Sequence, residues 1–355
     1  MTVSDVHSGL TGYLGWAHPV RSDDPDIPEA LAVQYLDFLA QVHDLLKPRT
    51  YLEIGVRNGH SMALSSTRSI GIDPAYEIAD EVTIGPDATL YMETSDDFFA
   101  GENPLKAFDE PTIDLSFIDG LHLYEFVLRD FMNVEKYAAP GSVIIFDDVL
   151  PRATVHAARD RETRTWTGDV WKIIPTLREV RPDLILLLVR TTPTGLLMVL
   201  GGDLTNTDLT TAYDRMLAEH VSSSQEPPAE IITRSTAVYP TWVVGAPFWD
   251  VLRRQRDNSV TPAEGRTELL ASLQEWASTT LNDKQAKAIH PSLTGKPSPA
   301  KPTAAKKTPS TRPASRPTPA PAVGGRVLNG VRWRFKKLVR VSKLAVAEYR
   351  KPANS

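Results

Sequence analysis

The 355-residue chain contains no cysteine. That excludes a disulfide scaffold, a thiolate metal site and a cysteine nucleophile, and it fits a reducing, cytoplasmic setting. Missing too is any apolar run near the roughly 20 residues that a membrane-spanning helix needs. The longest, such as LILLLV at 184–189, are strand-sized. The opening MTVSDVHSGLTGYLGW lacks the basic start and apolar stretch of a secretory signal. The chain therefore reads as neither secreted nor integral to a membrane. Acidic residues are almost missing from 296–355, where Glu348 stands alone against 15 Lys and Arg. That segment carries +14 and residues 1–295 carry −19, a polarity hidden by the net −5.

What is present divides the chain. Residues 296–325 hold eight prolines and, apart from Val323, no large aliphatic or aromatic residue, so they cannot build a core and read as a disordered Pro/Lys/Arg-rich linker. Wound at 100° per residue, 326–351 places Val327, Leu328, Val331, Phe335, Leu338 and Val339 on one face. Arg332, Lys336, Arg340 and Lys343 lie opposite. This is a basic amphipathic helix, suited to an anionic membrane surface or to a partner protein. No nucleic-acid-binding fold accompanies it, so nucleic acid is disfavoured.

Between residues 30 and 205 strand-length apolar runs alternate with amphipathic helix-length segments, the pattern of βαβ units around a parallel sheet. Strands are expected near 50–55, 69–73, 88–93, 113–118, 142–147, 184–190 and 194–200. Helices are expected near 29–46, 60–67, 123–138, 169–180, 206–221 and 265–281, with 222–264 ambiguous. Only RTTPT separates LILLLV from GLLMVL, which is too short for a parallel crossover and gives an antiparallel hairpin. The expected fold is α/β, a Rossmann-like, doubly wound, mostly parallel sheet ending in that hairpin. Residues 1–29 form an N-terminal extension, and 206–295 a C-terminal extension of the globular part.

TYLEIGVRNGHSMALSS sets Glu53, Gly55 and Gly59 in the spacing E-x-G-x-x-x-G between a strand and a helix start. Such glycines let backbone amides approach a ligand. A dinucleotide fingerprint would need glycine where Arg57 stands, so NAD is disfavoured. Asp73, at the end of the second strand, can accept hydrogen bonds from ribose hydroxyls. Ser95 and Asp96, after the third, can border a purine. A tight structural turn with Asp73 as a cap explains the glycines equally simply. LSFIDGLHLYEFVLRDF and GSVIIFDDVLP end two apolar strands in Asp119 and in Asp147 with Asp148. Parallel neighbours release their C-terminal ends at one sheet edge, so three carboxylates converge and repel unless a cation sits among them. Oxygen ligands favour a hard ion, Mg²⁺ or another such divalent cation. Solvated loop aspartates are the plainer alternative.

These residues together resemble the class I S-adenosylmethionine-dependent methyltransferases, and more closely the metal-dependent O-methyltransferases of the catechol and macrolide-sugar types. The resemblance covers about 30–200. It implies that Glu53, Gly55 and Gly59 shape the methionine pocket, that Asp73 holds ribose, and that Ser95 and Asp96 lie by adenine. It also implies that Asp119, Asp147 and Asp148 bind the metal. His122, three residues after Asp119, falls where those families carry their general base; as a lone histidine at a strand-to-helix junction it also suits a hydrogen-bonding cap. The implied acceptor is a hydroxylated small molecule or glycan precursor, met in the cytoplasm near the inner membrane surface. A metal-independent N-methyltransferase and an inactive nucleoside-binding scaffold are the alternatives. The Arg-rich stretch 152–172, with His156, Trp166 and Trp171, reads as an acceptor lid or as a solvated loop anchored by its tryptophans, with Gly168 and Asp169 starting a helix.

Overall fold

The computed structural model describes residues 33–221, 225–258 and 260–295. The expected N-terminal extension, linker and basic helix lie outside the described residues. Seven strands, β1 (Thr50–Ile54), β2 (Arg68–Ile72), β3 (Ala88–Tyr91), β4 (Ile113–Ile118), β5 (Ala138–Phe146), β6 (Ile185–Val189) and β7 (Leu196–Leu200), form one sheet in the order β3-β2-β1-β4-β5-β7-β6. β1 to β5 are mutually parallel, and β7 runs antiparallel to both β5 and β6. The terminal hairpin is thus present, and its returning strand inserts between β5 and β6.

Side chains alternate between two apolar layers because strand neighbours point to opposite faces. Tyr51, Leu115, Phe117, Val143 and Ile145 enter one layer, and Leu52, Ile54, Ile118, Ile144 and Phe146 the other. α1 (Tyr35–Leu46) covers the first face through Phe38, Leu39, Val42 and Leu46. α2 (Ser95–Ala100), α3 (Tyr124–Glu135), α4 (Ile173–Val180) and α5 (Asp208–His220) cover the second. The region left ambiguous holds α6 (Ala229–Ile232), α7 (Pro240–Val244) and α8 (Phe248–Asp257). α9 (Pro262–Thr280) and α10 (Asp283–Ile289) follow. Phe248, Trp249 and Leu252 of α8, with Leu269 and Leu273 of α9, are buried in the α1 layer. Residues beyond 205 therefore complete the core. Among the described residues no helix is long and apolar enough to cross a membrane.

The helix expected at 60–67 is instead a single 3₁₀ turn, Met62–Leu64. Its C-terminal half is rich in hydroxyls that compete for local partners: Thr67 Oγ1 donates to the Arg49 carbonyl (2.6 Å) and Ser69 Oγ to Ser65 Oγ (2.8 Å). α2 was not expected; Thr94 caps it by accepting from the Asp97 amide at 3.1 Å. The expected helix 169–180 begins as a 3₁₀ turn, Val170–Lys172, and becomes α-helical at Ile173.

Candidate active site

The ladder runs one residue past the ends of the central strands. Gly55 N donates to Ile72 O (2.8 Å), Asp119 N to Ile54 O (2.8 Å) and Asp147 N to Ile118 O (3.1 Å). The glycine loop and the acidic strand ends therefore occupy adjacent rungs at the carboxyl edge, where open α/β sheets bind ligands.

Gly55 has φ +94°, and a Cβ there would lie 1.9 Å from the Asp119 carbonyl oxygen. Only glycine fits a backbone this close to its neighbour. Gly59 (φ +84°) faces Ile78, Val82 and Ile84. Asp73 orders the loop: its Oδ2 accepts from the Arg57 amide (2.8 Å) and its Oδ1 from the Ala75 amide (2.7 Å). Glu53 is fully buried beneath it, accepting from Tyr51 OH (2.5 Å) and Ser61 Oγ (2.7 Å). Burial pushes its carboxyl up to about 8, against the two hydroxyl donors that pull it down. Ser61, a floor residue of this loop, was not singled out in the sequence.

Ser95 and Asp96 are both tied to α3. Ser95 Oγ donates to Asp130 Oδ1 (2.5 Å), and Asp96 receives Arg129 in a two-pronged pair (2.9 and 2.7 Å). Burial raises Asp130 from 3.8 to about 7. A carboxyl protonated in the folded state and ionised in the unfolded one stabilises most below pH 3.8, and that stability is lost as pH rises toward 7. Asp130→Asn should therefore raise the melting temperature at pH 8 by several degrees and leave it nearly unchanged at pH 4. Thermal unfolding at both values measures this, and an equal shift at both would contradict it.

At the acidic edge the structure gathers Asp119, His122 and Asp148, whose ligand atoms all lie within 4.8 Å of one another. His122 Nε2 is 3.3 Å from Asp119 Oδ1, and Nδ1 is 3.1 Å from Asp148 Oδ2. The Trp166 carbonyl lies 3.0 Å from Nδ1. All three neighbours are acceptors, so either ring nitrogen has a partner for a proton; when the ring gives one up, Nδ1, with two acceptors against one, is the nitrogen better placed to keep it. Burial tends to lower the imidazole, but Asp148, Asp119 and the Trp166 carbonyl outweigh it and push it up to about 10. An imidazolium thus offsets the carboxylate repulsion. Asp147, expected among the ligands, stands apart from this group. Its Oδ1 accepts the Asp148 amide (2.7 Å) and lies 3.5 Å from Thr194 Oγ1. Burial first, then Asp148 and Asp119, hold it well above the usual carboxylate range. Burial and Asp119 also raise Asp148, whose backbone is left-handed (φ +61°).

Asp169 starts no helix by its side chain. Its Oδ1 accepts the Tyr124 amide (2.8 Å) at the start of α3, and its Oδ2 receives Arg159 (2.6 Å) and the buried Lys172 (3.1 Å). The 152–169 segment is thereby pinned beside His122.

The strand order, the glycine loop after β1, the acid after β2 and the acidic ends of β4 and β5 are together the arrangement of a class I methyltransferase. Residues 52–149 match a family described as a methyltransferase domain. That match and the strand order assign residues 52–149 to a methyltransferase domain on a Rossmann-like sheet. No curated protein matches it. Similar solved structures include the O-methyltransferase TomG of Streptomyces achromogenes, involved in tomaymycin synthesis and solved with S-adenosylmethionine. It is 19% identical, with a TM-score of 0.39, and the match covers 56% of this chain and 99% of that one. An O-methyltransferase from Bacillus cereus, solved with S-adenosylhomocysteine, is 16% identical with a TM-score of 0.35, covering 56% and 91%.

Proposed function

We propose that the chain methylates a hydroxyl oxygen of a small molecule or glycan precursor with the help of a hard divalent cation, Mg²⁺ being the first choice. The observation that carries this is the Asp119, His122 and Asp148 group one rung from Gly55. The two carboxylates suit such an ion, while the imidazole nitrogen is a softer donor that first-row divalent ions accept more readily than Mg²⁺. Asp119 and Asp148 would hold it, with His122 Nε2 as third donor. When bound, the ion supplies charge that acidifies an acceptor hydroxyl toward neutrality. The sequence reading gives His122 the hydroxyl proton. Nε2 is the atom for either task, one lone pair serves one at a time, and we assign it to the ion. Gly55 and Gly59 would shape the turn that takes the methionine end of S-adenosylmethionine, Asp73 would hold its ribose, and Ser95 and Asp96 would lie by its adenine. Catalysis then rests on alignment of the hydroxyl oxygen with the sulfonium methyl: the methyl passes to oxygen as the carbon–sulfur bond breaks, and the hydroxyl proton is lost to solvent.

Titration calorimetry should show binding of S-adenosylhomocysteine but not NAD. Methyl transfer to a vicinal diol such as 3,4-dihydroxybenzoate should stop with EDTA and return with Mg²⁺. Undiminished transfer in EDTA would favour the metal-independent reading, and NAD binding in place of S-adenosylhomocysteine would overturn the cofactor.

We further propose, from the sequence pattern, that 30–205 is the catalytic domain, 296–325 a linker, and 326–351 a basic helix that docks on anionic lipid. Each cation near such a surface contributes on the order of 1 kcal/mol, weakened by salt. Deleting 326–351 should abolish sedimentation with phosphatidylserine vesicles while S-adenosylhomocysteine binding persists. Equal sedimentation of both forms would leave the partner-protein role.

A further inference from the structure

The stretch 152–169 reaches His122 in three ways that the proposed chemistry has not used. The Trp166 carbonyl is 3.0 Å from Nδ1. The Trp166 indole stacks on the imidazole, with centroids 5.2 Å apart and planes 22° from parallel. Gly168, at φ +54°, lets the chain pass so close that a Cβ would lie 1.7 Å from the His122 carbonyl oxygen. The indole is itself held, since Nε1 donates to the Ala158 carbonyl at 2.6 Å and Arg161 lies 5.9 Å from the ring. Thr167, fully buried, donates through its amide (2.9 Å) and Oγ1 (3.0 Å) to the His156 carbonyl.

An imidazole that serves a cation must present one nitrogen and have the other fixed by a second partner. Partners of that kind are worth about 10- to 100-fold in metal affinity. His122 lies on the short link between β4 and α3, and its ring has carboxylates on either side. Without a further restraint it can turn about χ2 and exchange the nitrogens that face Asp119 and Asp148. A carbonyl on Nδ1 and an aromatic plane on the ring face remove that freedom.

We infer that Trp166 is a positioning residue, one that locks the His122 imidazole with Nε2 toward Asp119 and so makes the segment 152–169 part of the cation site. This rests on the proposed metal-assisted reading. It gives the segment a role apart from both the acceptor lid and the solvated loop that its sequence allows: the ordering of this loop sets the strength of the ion site.

The test uses Mn²⁺ alone as probe and titration calorimetry on the full chain. Trp166→Ala, which keeps the backbone carbonyl but removes the stacked plane and the indole anchor that hold it in place, should weaken Mn²⁺ by about tenfold, the low end for such partners, whereas Trp166→Phe, which keeps an aromatic plane, should stay within about threefold. His122→Ala should weaken Mn²⁺ at least as much as Trp166→Ala. In the His122→Ala background, Trp166→Ala should have no further effect, because a residue acting through another is silent once that residue is gone. Affinity unchanged in Trp166→Ala, or losses from the two substitutions that multiply, would overturn the inference while leaving the metal site standing. No Mn²⁺ binding by the wild type would remove the metal reading and this inference with it. Unchanged S-adenosylhomocysteine affinity in Trp166→Ala and Trp166→Phe confirms that both variants are folded.

Discussion

Asp119→Asn and Asp148→Asn should each reduce Mn²⁺ affinity by about 100-fold or more and abolish Mg²⁺-dependent methyl transfer, while both variants stay folded. Each swap removes an anionic ligand without changing side-chain volume, and a divalent ion held by two carboxylates loses half of its anionic donors. Two effects oppose each other in stability: neutralising Asp119 relieves the like-charge repulsion that raises Asp147 and Asp148, but losing Asp119 or Asp148 also removes the attraction that holds the His122 imidazole up. Asp147→Asn is the control. Asp147 lies outside the gathered group, and its Oδ1 accepts the Asp148 amide, a bond that an asparagine oxygen still makes. Mn²⁺ binding should survive there within a few-fold. Calorimetry and thermal unfolding on the three variants decide the matter. Loss of the metal in Asp147→Asn, with retention in Asp148→Asn, would exchange the roles of the two aspartates, and loss in both would restore the three-aspartate set expected from sequence.

The choice between Asp147 and Asp148 marks how far the sequence reaches. The apolar runs that became β1, β4 and β5 were legible because each strand is buried on both faces, and their polar ends had to meet at one edge once the strands were parallel. The E-x-G-x-x-x-G turn was legible because few residues other than glycine tolerate φ near +90° at a crowded strand end. Which of two adjacent aspartates faces the site depends on one backbone torsion, the left-handed φ of +61° at Asp148. Nothing in F-D-D specifies it. The 3₁₀ turn at Met62–Leu64 escaped for a related reason, since hydroxyl side chains chose local partners over a continuing helix. Trp166 escaped because its contact with His122 joins residues 44 apart through a loop without periodicity. Asp169 looked like a cap for its own helix and instead caps α3, 45 residues back in sequence.

Gly55→Ala should be the most damaging single-methyl substitution in the cofactor loop. Two costs add. A left-handed backbone costs a non-glycine residue roughly 1–2 kcal/mol, and the new Cβ would lie 1.9 Å from the Asp119 carbonyl oxygen and 2.5 Å from its carbon. Those are backbone atoms on the adjacent strand end, fixed by the 2.8 Å bond from Asp119 N to Ile54 O, so no side-chain rotation relieves the clash. The β1 and β4 ends must part. That movement displaces the glycine loop and Asp119 together, joining loss of cofactor binding to loss of the ion site. We expect destabilisation by about 3 kcal/mol or more and at least 100-fold weaker S-adenosylhomocysteine binding in whatever folds. Gly59→Ala provides the comparison. Its backbone is also left-handed (φ +84°), but the atoms met at 2.9, 3.1 and 3.3 Å are the ends of Ile78, Ile84 and Val82. Aliphatic tips yield where a backbone carbonyl cannot, so the cost should stay near the backbone penalty of about 1–2 kcal/mol. Urea unfolding ranks the two variants and calorimetry with S-adenosylhomocysteine reads the site. A Gly59→Ala protein less stable than Gly55→Ala would mean that the contact between the Gly55 turn and the end of β4 is not what ties the cofactor loop to the acidic edge.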